Sequence, residues 1–277
     1  MFQLGNVYLR EASRYEILPA MRKSVVIIVK SVVALLLASS VVLAVFMGWL
    51  IWHYEFGIGL PDSEKLAAVS AAGNICSSGG KRTFVPLTEI PSLLRSAVLA
   101  YEEPDFYNRP SINSFTEPVV AALSNRSFRQ SNISISVTRC LMSLSPGCCR
   151  GLDWHIGNAI LMNRIERTLS RDRILEIYMN EQYFGRGAYG VADAAAAYFC
   201  KSLTELSVDE AAFIAALPRA PVLLSRNKNR GAERRNVVID RMLQAGAISG
   251  DQAISAKERP LVLQDQTLSD RSRQDSL

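Results

Sequence analysis

From Ser31 to Trp52 the chain carries no charged residue, and Val, Leu, Ala, Ile and Phe fill most of the positions. At about 1.5 Å per helical residue the run spans roughly 33 Å, enough to cross a hydrocarbon core of about 30 Å. Ser39, Ser40 and Gly48 are too few to form the polar stripe of a water-soluble helix. Trp49, Trp52 and Tyr54 close the far end like an interfacial belt, and Lys30 can snorkel to the headgroups at the near end. The pattern predicts a transmembrane helix over 31–52. A cleavable signal would have a shorter apolar core and a small-residue cleavage site, and a buried soluble helix would interrupt the run. Arg10, Arg14, Arg22, Lys23 and Lys30 precede it against Glu11 and Glu16, so residues 1–30 are expected in the cytoplasm and the remainder outside it.

Downstream, residues 53–82 are small and polar, loosest at Ser77-Ser78-Gly79-Gly80, and read as a stalk. Pro86, Thr88 and Pro91 punctuate a short extended lead-in. Leu93, Leu94, Ala97, Val98 and Tyr101 then recur at helical spacing over Ser92–Tyr101. The prolines of Glu102–Asn113 end that helix and leave its carboxylates at the helix end or in the loop. Helices are expected over Ile112–Leu123 and Ile133–Leu144, with a polar basic loop over Ser124–Ser131 between them. The longest is expected over Leu152–Asn180. Ser207-Val208-Asp209-Glu210 is a capping box opening an apolar helix that Pro218 ends. Arg234–Gln244 reads as a last amphipathic helix, and residues 256–277 as a polar tail. No strand alternation of any length is visible, so the fold class is mainly α.

Near-half apolar content allows a sizeable core. A net charge of +5 suits an anionic membrane or substrate, and no basic run with stacking aromatics supports nucleic-acid binding. Five cysteines (Cys76, Cys140, Cys148, Cys149 and Cys200) fall in the exported part, where disulfides persist. The odd count leaves at least one unpaired or intermolecular, and spacing does not fix the pairing. Ser78-Gly79-Gly80-Lys81 fits a penicillin-binding SxxK pattern, but its companion SxN and KTG motifs are missing downstream, so no transpeptidase module is expected.

Arg173 to Pro221 reads RILEIYMNEQYFGRGAYGVADAAAAYFCKSLTELSVDEAAFIAALPRAP. The ILExYxN stretch, the FGxGxYG block and the LSxxEAAxxAxLPxAP block resemble, in order and spacing, the peptidoglycan glycosyltransferases of family 51. These occur as monofunctional transglycosylases and as modules of penicillin-binding proteins. Residues 235–242 and 85–106 continue the likeness, and residues 83–255 form the expected transglycosylase-like domain. The resemblance implies a lysozyme-like helical body with a small membrane-proximal lobe. It also implies glycosyl transfer from a lipid-linked disaccharide with inversion and loss of a lipid pyrophosphate. That chemistry needs a general base and positive charge at the leaving group.

Carried over residue by residue, the first motif's glutamate falls on Glu102, the implied base, with Glu103 in place of the motif's aspartate. Phe106 is kept, Arg109 replaces a histidine and Ser111 a glycine. The second motif falls on Ser131–Ser136 without its glutamines, and Arg139 takes the place of a basic residue that contacts pyrophosphate. The third motif's Arg-Lys pair falls on Trp154 and His155, and its glutamate on Asn158, which cannot carry charge. The next acid survives as Glu166, and the following Ser-Lys reads Ser170-Arg171. Glu102 is therefore the catalytic candidate, and Glu103, Phe106, Arg109, Ser131, Arg139, His155, Asn158 and Arg171 are the substrate-binding candidates. The resemblance implies Mg2+ as cofactor, an expectation that Asn158 weakens. The implied partners are the lipid-linked precursor, the glycan strand, the membrane and cell-wall synthesis or division proteins. The implied location is a bacterial inner membrane, crossed once. Two functions follow: a working transglycosylase, or an inactive scaffold that binds glycan, precursor or cell-wall enzymes. A lytic glycosidase acting through Glu102 alone is a third.

Overall fold

The computed structural model describes residues 5–53, 57, 59–69, 83–111, 131–143 and 151–264, and divides into two units, Met1–Ile58 and Gly59–Leu277. The first is built on one helix, α1 (Gly5–Trp52), which begins well before the apolar run. Its stretch Ile27–Trp52 is long and apolar enough to cross a membrane. Within it the Ser39 and Ser40 hydroxyls donate to the Leu36 and Leu37 carbonyls at 2.8 Å, so neither needs a partner outside the helix. Trp49 stacks on His53 at the far end.

The second unit is mainly α, as the periodicity predicts. Its described helices are α2 (Ser63–Val69), α3 (Ser92–Glu102), α4 (Asn132–Met142), α5 (Leu152–Thr168), α6 (Arg171–Glu181), α7 (Val191–Phe199), α8 (Val208–Ala216), α9 (Pro221–Arg226), α10 (Lys228–Gln244) and α11 (Gly250–Glu258). Helix α8 is the hub. Residues 211–216 of it are buried, and it packs against α3, α7, α10 and α11. Glu210 accepts from the Ser207 N–H at 2.9 Å, which completes the cap read in the sequence. A second layer joins α4 to α5 and α6.

Several expectations change. Part of the segment read as a stalk is folded: α2 buries Leu66 against α5, and Arg164 donates to the Pro61 carbonyl at 3.1 Å. The helix expected over Leu152–Asn180 is two helices. Leu169 turns extended (φ −96°, ψ 142°), and the Ser170 side chain accepts from Arg173 N–H to cap α6. A two-stranded hairpin, β1 (Tyr183–Gly185) and β2 (Ala188–Tyr189), sits where no strand was expected, because pieces this short show no alternation. Arg234–Gln244 is not last: α10 starts at Lys228 and α11 follows, capped by Ser249 with Gln252. The boundary expected at 255 falls inside α11. The chain stays attached beyond it, since Arg235 donates to the Arg259 carbonyl and Gln264 N–H to Tyr198 O. The expected helix over Ile112–Leu123, Ser77–Lys81, Cys76, Cys148 and Cys149 lie outside the described residues. Cys140 is disulfide-bonded, and Cys200 is free and exposed.

The FGRGAYG block explains itself sterically. Gly185 has φ +90°, and a Cβ there would stand 2.6 Å from the Tyr198 hydroxyl, which itself donates to Phe184 O at 2.9 Å. Glu176 and Asn180 of ILExYxN clamp the lead-in before α3. The Asn180 amide exchanges hydrogen bonds with Val85 N–H and C=O at 2.8 and 2.9 Å, and Glu176 accepts from Leu87 N–H at 2.7 Å. These motif residues fix where α3 starts, and hence where it ends.

Candidate active site

Helix α3 runs out at two consecutive glutamates, and the fold gives them different neighbours. Glu102 is its last residue. Its side chain is only 4% exposed, with Arg219 Nε and Nη2 each 3.2 Å from one carboxylate oxygen. Arg219 is 43% exposed and reaches Glu102 because Pro218 turns the chain into a 3₁₀ turn, Leu217–Arg219, at the end of α8. Two more arginines gather at this helix end. The Arg241 and Arg219 guanidinium carbons lie 5.0 and 4.7 Å from the Tyr101 ring centroid. Arg241 also donates to the Tyr101 carbonyl at 2.7 Å, and Arg234 to its hydroxyl at 3.3 Å. Burial disfavours the Arg219 charge, but the Glu102 hydrogen bonds and charge outweigh it and hold Arg219 above the ordinary arginine value. Tyr178 on α6 is fully enclosed. Burial first, then the Glu102 charge, pushes its phenol well above the usual range. With Ser136, Cys140, Glu181 and Gln182, Tyr178 lines a small cavity between α4 and α6.

Glu103 enters a closed network instead. Arg109 Nε donates to one of its oxygens and the Ser131 hydroxyl to the other. The other two nitrogens of Arg109 reach both oxygens of Glu166 on α5, at 3.0 and 2.8 Å, and Nη2 also reaches the Ser134 hydroxyl at 3.2 Å. Arg171 on α6 adds a 2.7 Å bond to Glu166, and Ser134 donates to the same carboxylate. Phe106, fully buried, lies under both guanidiniums at 5.4 Å. Burial disfavours charge on Glu166, yet the bonds from Arg109, Ser134 and Arg171 win and lower its pKa. Arg109 is raised by Glu166 and Glu103 against its own burial. Ser131 also caps α4, accepting from Ser134 N–H, so this network pins α3, α4, α5 and α6 to one another.

Of the sequence candidates, the structure therefore brings Glu103, Phe106, Arg109, Ser131 and Arg171 into one buried cluster, with Glu102 beside it. Arg139 is exposed on α4. His155 is exposed in the first turn of α5, edge-on to Trp154 at 5.1 Å. Asn158, one turn further, has a buried Oδ1 without a hydrogen-bond partner among the described residues. Among those residues, Arg139, His155 and Asn158 make no side-chain hydrogen bond to the Glu103 cluster. Sequence reading missed Arg219, Arg234, Arg241 and Tyr178. The one available signal was a lone basic residue inside the otherwise apolar IAALPRAP stretch. For Mg2+ the donor set is poor: among the described residues no group of three His, Cys, Asp or Glu could hold a metal. Glu166 is already engaged by two arginines, and Asn158 offers one neutral oxygen. These residues do not fit a resident Mg2+.

The Transglycosylase family model matches residues 70–243, more than half the chain. Penicillin-binding protein 1A of Rickettsia conorii is 37% identical over 260 residues, covering 88% of this chain and 32% of that protein. The protein of the same name from Aquifex aeolicus is 34% identical over 237 residues, 80% of this chain and 33% of that one. A Cupriavidus necator protein whose name assigns it provisionally to the transglycosylases is 38% identical over 186 residues, 65% of this chain and 79% of that one. The chain thus spans about a third of the length of the two penicillin-binding relatives. The crystal structure of penicillin-binding protein 1A from Haemophilus influenzae is 26% identical and covers 70% of this chain and 21% of that one, with a TM-score of 0.41, too low to carry any inference about fold.

Proposed function

The chain belongs to the transglycosylase family, and from that premise we propose that it is a membrane-anchored peptidoglycan glycosyltransferase. It would extend glycan strands from a lipid-linked disaccharide by inverting transfer, with its second unit on the extracytoplasmic side of a bacterial inner membrane. The observation that carries this reading is the Glu102 carboxylate: buried at a helix end, shielded from bulk water, and held by the half-exposed Arg219. An acceptor hydroxyl attacks the anomeric carbon, its C–O bond forms as the bond to pyrophosphate breaks, and Glu102 takes the hydroxyl proton. Arg219, Arg234 and Arg241 bring three cations to a helix end, where they can meet the charge that develops on the departing pyrophosphate. No step needs Mg2+.

One observation favours a second reading, an inactive scaffold that binds glycan, precursor or cell-wall enzymes. On the motif resemblance the family's second glutamate falls on Asn158, which is neutral and whose buried oxygen has no hydrogen-bond partner among the described residues. Incubating the full chain in nanodiscs with lipid-linked disaccharide separates the two. Polymer formed alongside a working relative supports the enzyme. If the relative makes polymer and this chain makes none, the scaffold reading takes over.

A further inference from the structure

Helical spacing puts Tyr101 on the apolar stripe of α3, and at 1% exposed it is as buried as a core residue. Its neighbours, however, are cations. The Arg219 and Arg241 guanidiniums lie over its ring, Arg234 Nη1 donates to its hydroxyl at 3.3 Å, and Arg241 Nη1 to its carbonyl at 2.7 Å. Arg234 and Arg241 stand about two turns apart on α10, and Arg219 comes from the turn after α8. One residue of α3 thus gathers cations from two other elements. Like charges gathered this way repel one another, and among the described residues the one carboxylate paired with any of them is Glu102, on Arg219. A further carboxylate would hold the guanidiniums and cancel their charge. An aromatic face attracts a guanidinium through its quadrupole and leaves the charge in place. The hydroxyl, and the carbonyl in the last turn of α3, accept from Arg234 and Arg241 without adding charge. Arg219 itself is 43% exposed, and its polar and ring contacts among the described residues are the Glu102 carboxylate and the Tyr101 ring. Without the ring, a long side chain nearly half in solvent would be fixed at one end only.

We propose that Tyr101 is a positioning residue: its ring seats the Arg219 guanidinium against Glu102 and keeps Arg234 and Arg241 beside it, so that a cluster with net positive charge is in place when the leaving group develops its own. Tyr101 touches no reacting atom in this scheme and acts through Arg219. Its effect on rate rests on the transferase reading, whereas the seating of Arg219 is a property of the folded chain and requires no catalysis.

Proton exchange at the arginine Nε–H groups tests it, in the full chain labelled with 15N-arginine and held in nanodiscs. The Arg219 signal, identified by its loss in Arg219→Lys, should be protected in wild type, because that N–H is bonded to Glu102. Tyr101→Leu should speed its exchange about tenfold, and Tyr101→Phe, which keeps the ring, should restore most of the protection. The Arg109 Nε–H, bonded to Glu103 in the buried network, should exchange alike in every sample and so report that the variants are folded. In polymer assays Tyr101→Leu should lower kcat about as much as Arg219→Gln, on the order of 10²–10³-fold, with Tyr101→Phe recovering most of the rate. The double variant Tyr101→Leu/Arg219→Gln should be slower than the slower single variant by no more than about threefold, as expected of two residues acting through one guanidinium. Unchanged Arg219 protection in Tyr101→Leu overturns the proposal, as does protection lost together with that of Arg109. Rate losses that multiply in the double variant also overturn it. If wild type makes no polymer beside a working relative, the transferase reading falls, and the exchange result alone decides whether Tyr101 seats Arg219.

Discussion

Glu102 and Glu103 are neighbours in the chain but not in chemistry. Glu103 is bonded on both oxygens inside a network of two carboxylates, two guanidiniums and two hydroxyls, where every charge has a buried or half-buried counterpart. Among the described residues Glu102 has one ionic partner, and that partner is nearly half exposed. Closed networks of the first kind are costly to disturb, and this one is buried, so the Glu103 side holds four helices together. Glu102, buried at the helix end beside a half-exposed cation, is the side on which the proposed transfer would act. The residues aligned with the family's motifs divide along the same line: Glu103, Phe106, Arg109, Ser131 and Arg171 meet in the buried network, and Glu102 stands beside it.

The division can be attacked from either side. Replacing Arg109 with Met leaves Glu103 and Glu166 buried without their main counter-charge, and should cost about 3–5 kcal/mol of stability in denaturant unfolding. A loss under about 1 kcal/mol would mean that the network is not structural. On the other side, Arg219→Gln should slow polymer formation about 10²–10³-fold. Its unfolding free energy should move by only about 1 kcal/mol, the usual scale for a pair with one half-exposed member. Equal effects on rate and stability would erase the distinction.

A smaller effect comes from the hairpin that seats α6 and α7. Gly190 has φ 83° and ψ 157°, and a Cβ there would lie 2.6 Å from Asn180 O, so Gly190→Ala should cost about 1–3 kcal/mol with the Glu102 environment unchanged. The smallest is a pH effect. Glu166 titrates lower folded than unfolded, so its contribution is fully present above the unfolded carboxylate value of 4.5 and is lost as pH falls through the lower folded value. Acid unfolding of Glu166→Gln should therefore show a shallower loss below about pH 4.5 than wild type.

Much of this was legible in the chain. The spacing of Leu93, Leu94, Ala97, Val98 and Tyr101 gave α3 to within one residue, and Ser207 with Glu210 marked the start of α8. What stayed hidden was hidden for physical reasons. Ser170 breaks the long helix with a side-chain cap and neither glycine nor proline, and the trace in the apolar pattern is a single five-residue step from Leu169 to Ile174. Strands of three and two residues are too short to alternate. Arg219 lies 117 residues from Glu102, a pairing that only the packed fold creates. Arg109 looked like a substrate contact because it stands at a motif position, yet its donors are spent on Glu103, Glu166, Ser134 and the Pro110 carbonyl.

The most direct measurement compares Glu102→Gln with wild type in one reconstituted system, scoring glycan polymer by gel and the unfolding midpoint by thermal melting. The carboxamide keeps the shape and can still accept from Arg219, but cannot take a proton. The expected result is a polymerisation rate down by at least about 10²–10⁴-fold with the midpoint nearly unmoved. Polymer from Glu102→Gln at the wild-type rate would show that position 102 is not the base.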